Sequence, residues 1–210
     1  MELIAHPLYL APIPLYARLY ASEAILFDGD SSFVKQTFRN RAIIATENGT
    51  QTLTIPVIHN GRQAMRDVRI SEHGNWRHLH WNAIVTAYKK SPFFDYYADD
   101  FAHFYEEKDN FLMDFNLRLH DTVCNLLALE RRTEELKANT LLSETPFDAR
   151  LLSETKEVEK TESTQEYYQV FSQRNGFIPN LSIADLLFNM GPEGLIVLQK
   201  MAEKLTTRHF

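Results

Sequence analysis

The N-terminal stretch constrains the fold more than any other part of the chain, because short apolar runs there flank a segment that favours a helix. Residues 2–5 and 24–27 are apolar runs too short for helices, and turn-forming residues follow each of them. Between them, Pro14 can occupy the first position of a helix over about 15–21, where its missing N–H needs no partner. Strand, helix, strand is the beginning of a βαβ unit, whose ligands gather beyond the carboxyl ends of the strands. The residues expected near one another there are His6, Tyr9, Asp28 and Asp30.

A β-hairpin is the clearest local prediction after this start. Residues 38–46 and 52–57 are rich in strand-forming side chains, and Asn48-Gly49 lies between them. Asn-Gly tolerates the positive φ angles of a tight hairpin turn, so the two runs are predicted to pair as antiparallel strands. Residues 65–70 alternate well enough to form a further strand.

From residue 75 onward, apolar and aromatic side chains recur at helical spacing. The predicted helices cover residues 76–90, 93–105, 111–129, 183–190 and 193–205. The predicted fold class is therefore α/β, with a mixed sheet in the N-terminal half that contains the βαβ-like start and the hairpin, and a mostly helical C-terminal half. A chain of 210 residues is expected to form a single domain. Within it, residues 130–165 are rich in charge and Thr and poor in aromatics, which predicts a charged surface excursion.

The distribution of charge points to an anionic ligand. The whole chain has a net charge of −6, yet residues 35–90 hold nine Lys and Arg against three Asp and Glu. This cationic segment also carries aromatic rings and four of the eight histidines, and local charge rather than the total sets the field that an anion meets. The alternative is that these are solvated surface charges. The acidic total disfavours binding of nucleic acid or of an anionic membrane surface.

Other features of the sequence indicate a cytoplasmic protein. The N-terminus has no positively charged region before an apolar run, and no apolar run approaches the ~20 residues that span a bilayer. The single cysteine, Cys124, fits a reducing compartment, and its place on a predicted helix favours a buried, inert thiol. The sequence names no cofactor and leaves open whether the protein forms a homo-oligomer.

Basic side chains of the cationic segment are the first candidates for binding an anion. On a strand, Arg39 and Arg41 would project from the same face, and two guanidinium groups suit a phosphate or a carboxylate. The alternative is a solvent-facing side of the sheet. Arg69 on the later strand could join them, and Tyr88 and Lys89 could approach a ring by stacking. The full set of substrate-binding candidates is Lys35, Arg39, Asn40, Arg41, Arg69, Tyr88 and Lys89.

Two histidines are candidates for moving a proton. His80 lies among aromatic residues of a predicted helix, where it is either a general base or anion ligand, or simply a partly buried histidine with its hydrogen bonds satisfied. His6, at the end of the first apolar run, is the second candidate. His78 and His80 are two apart on a helix and point in different directions, so no metal site is predicted. The sequence contains neither a glycine-rich phosphate loop nor a Gly-x-Ser-x-Gly elbow.

Several segments resemble the WbqC-like family of bacterial proteins. They cover residues 7–12, 35–41, 53–57, 67–70, 76–93 and 177–189, in the order found in the family. Where the family often has Gln-Pro near its start, this chain has His6-Pro7. The resemblance implies a gene near surface-polysaccharide (O-antigen-type) clusters and a presumed role in sugar modification.

The sequence and the resemblance together support three functional hypotheses. The first is a transferase of surface-polysaccharide biosynthesis or modification that handles a nucleotide-activated or amino sugar, with acyl or aminoacyl transfer as one reaction. Its ligand would be a nucleotide sugar or an acyl donor: the basic side chains would hold phosphates, Tyr88 would pack on a ring, and His80 or His6 would move a proton. The second is a non-catalytic binding or scaffold module for polysaccharide enzymes, suggested by the missing generic catalytic motif. The third is nucleotidyl transfer, suggested by the βαβ-like start.

Overall fold

The computed structural model describes residues 1–142, 145–160 and 164–206. Its strands are β1 (Glu2–Ala5), β2 (Ala24–Phe27), β3 (Arg41–Thr46), β4 (Gly49–Thr54), β5 (Val57–Ile58), β6 (Arg69–Ile70), β7 (Arg132–Glu135) and β8 (Phe147–Asp148). Its α-helices are α1 (Ile13–Tyr20), α2 (Trp76–Tyr88), α3 (Phe94–Glu106), α4 (Leu112–Leu126), α5 (Thr155–Glu159), α6 (Ser172–Asn175), α7 (Ile183–Met190) and α8 (Gly194–Thr206). The predicted α/β class, with a mostly helical C-terminal half, is confirmed.

A four-stranded parallel sheet contains both N-terminal apolar runs, in the strand order β7-β2-β1-β8. β1 and β2 pair in parallel from Glu2 with Ala24 to Ala5 with Phe27, and α1 connects them. The predicted βαβ start is therefore confirmed, with Pro14 in the first turn of α1. All of β2 and all but the first residue of β1 are buried, as is typical of a parallel sheet covered on both faces.

The predicted hairpin is also confirmed. β3 and β4 pair antiparallel up to Thr46 with Gly49, so Glu47 and Asn48 form the turn and Gly49 has a φ of +111°. β5 and β6 form a second antiparallel pair. The continuous strand predicted over residues 65–70 is wrong in part, because Met65–Asp67 forms a 3-10 turn and only Arg69–Ile70 is extended. A strand buries every second side chain and a 3-10 turn every third. A pattern of only six residues does not distinguish these two structures.

Residues 130–165 contribute to the parallel sheet, although their composition predicts a surface excursion. β7 and β8 are the two edge strands, paired with β2 and β1. Ser153 and Val158 from the same segment are buried. Composition misses this contribution because an edge strand is held by backbone hydrogen bonds and its side chains can remain charged and solvated. Within the predicted segment, residues 143–144 and 161–163 lie outside the described residues.

The helices supply most of the remaining core. On α4, Phe115 and Val123 have no exposed surface, and the predicted helix over 111–129 is confirmed with slightly shorter bounds. Helix α7 is buried along almost its whole length, and the Ser182 hydroxyl accepts the backbone N–H of Ala184 as its N-cap. No helix among the described residues is long and apolar enough to cross a membrane.

Candidate functional site

Charged side chains meet where the parallel strands end. His6 follows β1, Asp28 follows β2, and Arg150 comes two residues after the end of β8. Arg39 lies in the loop before β3. The charges of Arg39, Asp28 and Arg150 shift the pKa of His6, and the charge of Asp28 shifts the pKa of Arg39. We refer to His6, Asp28, Arg39 and Arg150 as the edge cluster. It lies at the carboxyl edge, as the sequence predicted for His6 and Asp28.

Asp28 is the hydrogen-bonded anion of the edge cluster. Its Oδ1 accepts the backbone N–H groups of Asp30 (3.1 Å) and Ser31 (3.0 Å), and its Oδ2 accepts the Ser31 hydroxyl and Arg150 Nη1 (2.9 Å). Burial by itself would raise the pKa of Asp28, but the hydrogen bonds from Ser31 and Arg150 lower it to about 2. Asp28 is therefore ionised at neutral pH and organises its neighbours rather than supplying a proton.

All three guanidinium nitrogens of Arg150 donate hydrogen bonds to carboxylates at this edge of the sheet. Its Nε and Nη2 donate to the two carboxylate oxygens of Asp148, while Nη1 reaches Asp28. These interactions raise the pKa of Arg150 further above its ordinary value. Because all three nitrogens have acceptors, Arg150 is a positioning residue. The sequence analysis missed it, since only the tertiary fold brings it to a residue 122 positions earlier.

Arg39 differs from Arg150 in having no carboxylate partner among the described residues. It is 5% exposed, its Nη1 donates to Thr37 Oγ1 at 3.2 Å, and its buried Nε has no partner in the described part of the chain. Burial lowers the pKa of Arg39 to about 10, with the charges of Glu154 and Asp28 acting in the opposite direction. The group therefore stays charged at neutral pH. A buried, incompletely paired guanidinium is costly to the fold and suited to an anionic ligand.

His6 is held neutral at the same edge. Burial lowers its pKa to about 4, and the positive charge of Arg39 is the next largest cause. Its Nδ1 lies 3.4 Å from the carbonyl oxygen of Asp28. A carbonyl can only accept, so this contact favours the tautomer with the proton on Nδ1 and leaves the lone pair on Nε2.

The prediction that Arg39 and Arg41 lie on one strand and project from the same face is wrong. Arg41 is the first residue of β3, whereas Arg39 lies before the strand in a turn closed by Asn40 N–H to Thr37 O (3.3 Å). Asn40 is buried, and its side-chain amide donates to Ile55 O, which joins the turn to the end of β4. Asn40 thus has a structural role here. Lys35 is exposed in the same loop.

The remaining predicted binding residues lie elsewhere. Arg69 is exposed on β6 with its guanidinium 4.8 Å from the centre of the Phe111 ring, and Lys89 is exposed at the end of α2. Tyr88 has no exposed surface; its hydroxyl accepts the backbone N–H of Ala45. The predicted stacking of Tyr88 on a ligand is incompatible with this burial. No hydrogen bond or ion pair between described residues joins these three to the edge cluster.

His80 lies in an aromatic cluster rather than at the sheet edge. Its Nδ1 is 3.0 Å from the Tyr9 hydroxyl, which is in turn 2.9 Å from the Tyr105 hydroxyl, and Trp76 packs edge-on against the imidazole. Burial lowers the pKa of His80 to about 4, opposed by a backbone hydrogen bond with Thr54. With 6% of its surface exposed, His80 matches the plainer expectation of a satisfied, buried histidine. Tyr9, expected near His6, directs its side chain to this cluster instead.

The fold and the edge cluster together define an α/β protein with a buried cationic group at the carboxyl edge of a parallel sheet. The profile of the WbqC-like protein family matches residues 6–165, which include all four residues of the edge cluster. The chain belongs to the WbqC-like protein family. It is 30% identical over 206 residues to an uncharacterized protein of Mycobacterium tuberculosis, Rv1507c, with 83% of this chain and 86% of that protein covered. No solved structure matches the chain significantly.

Proposed function

We propose that this protein is a transferase of bacterial surface-polysaccharide biosynthesis or modification, and that the edge cluster binds the anionic part of an activated sugar or acyl donor. The polysaccharide context is the one that the resemblance to the WbqC-like family implies, and membership of that family supports it. The observation that carries the proposal is Arg39, a buried guanidinium with a free Nε–H and no carboxylate within ion-pair distance among the described residues. Once a rotation of the Arg39 side chain exposes the buried Nε–H, a phosphate or carboxylate would accept a charge-assisted hydrogen bond from it, at the edge where α/β proteins bind ligands.

His6 is the proposed general base for transfer to an amino or hydroxyl group. Its neutral imidazole can take a proton on Nε2 while Nδ1–H faces the Asp28 carbonyl. In acyl or aminoacyl transfer, the acceptor nitrogen or oxygen attacks the acyl carbon and loses its proton to Nε2. The bond between that carbon and the donor then breaks, and the donor leaves with the electron pair. His6 returns the proton to the departing group.

Ligand binding at Arg39 would make His6 a stronger base. The charge of Arg39 is one of the causes that hold the pKa of His6 at about 4. An anion paired with Arg39 cancels part of that field, so the pKa of His6 should rise toward its ordinary value of 6.5. Substrate binding and base strength are thereby linked.

The test is a thermal-shift screen with nucleotide sugars and acyl thioesters, followed by calorimetric titration of any ligand found. Arg39→Lys keeps the charge but loses the planar fork, so affinity should fall by about 1–3 kcal/mol. Arg174→Lys is the control, because Arg174 is exposed and paired with Glu47 outside the edge cluster, and this substitution should change the affinity by less than about 0.5 kcal/mol. A screen in which neither ligand class raises the melting temperature, or equal losses in both variants, would contradict the proposal.

Catalysis and simple binding are separated by His6→Gln. If the protein is a transferase, this variant retains ligand affinity and loses product formation measured by mass spectrometry. A wild-type protein that binds a ligand but forms no product with any donor and acceptor pair would instead support the binding-module hypothesis. Release of pyrophosphate from a nucleoside triphosphate would support nucleotidyl transfer.

A further inference from the structure

A cavity of about 340 Å³ lies beside the start of α2, and no residue of the edge cluster lines it. Its wall includes Trp76, Arg77 and Trp81 from the segment that the sequence analysis identified as cationic and aromatic. Its size falls within the range of small-molecule sites. The proposed transferase function does not use this cavity.

Arg77 lines this cavity, and one edge of its guanidinium has no hydrogen-bond partner among the described residues. The side chain is 7% exposed, and its Nη1 donates to Glu72 Oε1 at 2.6 Å. Its Nε and Nη2 are buried and have no hydrogen-bond partner in the described part of the chain. These two nitrogens share the side of the guanidinium that a carboxylate binds with two parallel hydrogen bonds. The ion pair with Glu72 therefore leaves the bidentate edge free.

Trp76, which lines the same cavity, carries a second buried donor without a partner in the described part of the chain. Trp76 is 4% exposed, and its indole Nε1–H also lacks a partner among the described residues. Trp76 and Arg77 open helix α2, whose N-cap residue Asn75 makes no side-chain capping hydrogen bond. The first turn of α2, with the positive end of its helix dipole, therefore forms part of the cavity wall. All the buried side-chain nitrogens and oxygens of the wall that lack a partner are donors, so what these groups lack is an acceptor.

The charges around the cavity favour a monoanion. Arg77 and Lys108 are positive, and Glu72 and Glu106 are negative, so their formal charges cancel. A doubly charged phosphate would be repelled by the two carboxylates more strongly than a singly charged group. A carboxylate matches both the charge and the planar free edge of Arg77.

We propose that this cavity binds a small molecule through its carboxylate group, with Arg77 Nε and Nη2 and Trp76 Nε1 as the donors. Because the two guanidinium nitrogens and the indole nitrogen are buried, binding requires the side chains of Arg77 and Trp76 to shift in the cavity wall. Arg77 lies over the Trp76 ring, with its guanidinium carbon 4.6 Å from the ring centre. Rotation of Arg77 therefore changes the surroundings of the indole.

Tryptophan fluorescence tests the proposal directly, because the chain has two tryptophans and both line this cavity. The full-length protein is titrated with acetate and with propionate at constant ionic strength, using chloride as the blank and inorganic phosphate as the competing anion. The expected result is a saturable change in emission with the carboxylates. Arg77→Lys should weaken the apparent affinity by about tenfold or more, since it removes the bidentate fork.

Two variants serve as controls in the same titration. Arg174→Lys changes an exposed arginine that pairs with Glu47 away from the cavity and should leave the curve unchanged. Arg39→Lys should also leave it unchanged, so this proposal and the proposed function at the sheet edge succeed or fail separately. If circular dichroism shows that Arg77→Lys does not fold, Glu72→Gln replaces it. Removing that negative charge should tighten carboxylate binding several-fold.

Three outcomes would overturn the assignment. The first is the absence of a saturable change with either carboxylate. The second is an equal affinity in the wild type and in Arg77→Lys, or an unchanged affinity in Glu72→Gln where that variant is needed. The third is tighter binding of phosphate than of acetate, which would assign the site to a different anion.

Discussion

Arg150 bridges the ends of two strands that are not neighbours in the sheet. Its Nη1 lies 2.9 Å from Asp28 Oδ2, after β2, while its Nε and Nη2 bind Asp148 at the end of β8. β2 and β8 flank β1, the strand that His6 follows. The Arg150 guanidinium therefore links the ends of β2 and β8, the strands on either side of the one that leads to the proposed base, His6.

Arg150→Gln should loosen this edge. The substitution leaves Asp28 with its Ser31 hydrogen bonds but removes its charged donor, so we expect a loss of about 1–2 kcal/mol in the free energy of unfolding, after allowance for the partial exposure of Arg150. Urea denaturation measures it. Arg132→Gln is the control, because that arginine is exposed on edge strand β7 and should cost no more than about 0.5 kcal/mol. Equal effects of the two substitutions would show that Arg150 is an ordinary surface charge.

Tyr167→Phe should lower the free energy of unfolding, because it removes a hydrogen bond to a buried carboxyl group. The Tyr167 hydroxyl donates to Asp185 Oδ2 at 2.6 Å, and Asp185 has no exposed surface. Loss of a hydrogen bond to a buried carboxyl group should lower the free energy of unfolding by about 1–3 kcal/mol. The neighbouring Tyr168 is 52% exposed, so Tyr168→Phe should change it by less than about 0.5 kcal/mol. Chemical denaturation of both variants compares them, and indistinguishable midpoints would contradict the expectation.

Phe115→Ala should be among the most damaging single substitutions. The ring has no exposed surface and packs against Tyr9, Trp76 and Phe104. Removing it from this aromatic cluster should cost about 3–5 kcal/mol in the free energy of unfolding. Tyr96→Ala, at a residue that is 78% exposed on α3, is the size-matched control. A loss under about 1 kcal/mol for Phe115→Ala would mean that the cluster repacks.

Stability should fall as the pH is lowered from about 6.5 toward 4. The folded-state pKa values of His6, His80 and His120 are each lowered from 6.5 to about 4, so the unfolded chain takes up protons first in this interval. Asp185 opposes the trend in part, because burial raises its pKa to about 6 and the folded state therefore binds its proton first.

The contribution of one histidine to this pH dependence can be isolated. His6→Gln removes one of the three groups and should make the plot of unfolding free energy against pH shallower between pH 6.5 and 4.5. Thr86→Gln, at an exposed position on α2, removes no ionisable group and should leave the slope unchanged. Denaturant titrations at several pH values measure the slopes, and identical slopes in wild type and His6→Gln would refute the assignment.

The sequence by itself determined the features that depend on neighbours along the chain. The strand, helix, strand order at the start, the hairpin at Asn48-Gly49 and the helix over residues 183–190 all follow from turn chemistry and the periodicity of apolar side chains. These signals act over a few residues, so they can be read without knowledge of the fold. The cationic character of residues 35–90 was also visible, and Arg39 and Arg77 both come from that segment.

Only the tertiary structure decided which of those charges are buried and what they meet. Arg39 lies in a turn beside His6, Arg41 begins a strand, and His80 is enclosed by aromatic rings, although the sequence presented all three as candidates for the site. Arg150 reaches Asp28 because β8 pairs with β1 through backbone hydrogen bonds, which are nearly independent of side-chain identity. Burial of a charge depends on contacts between distant parts of the chain. No local pattern encodes such contacts.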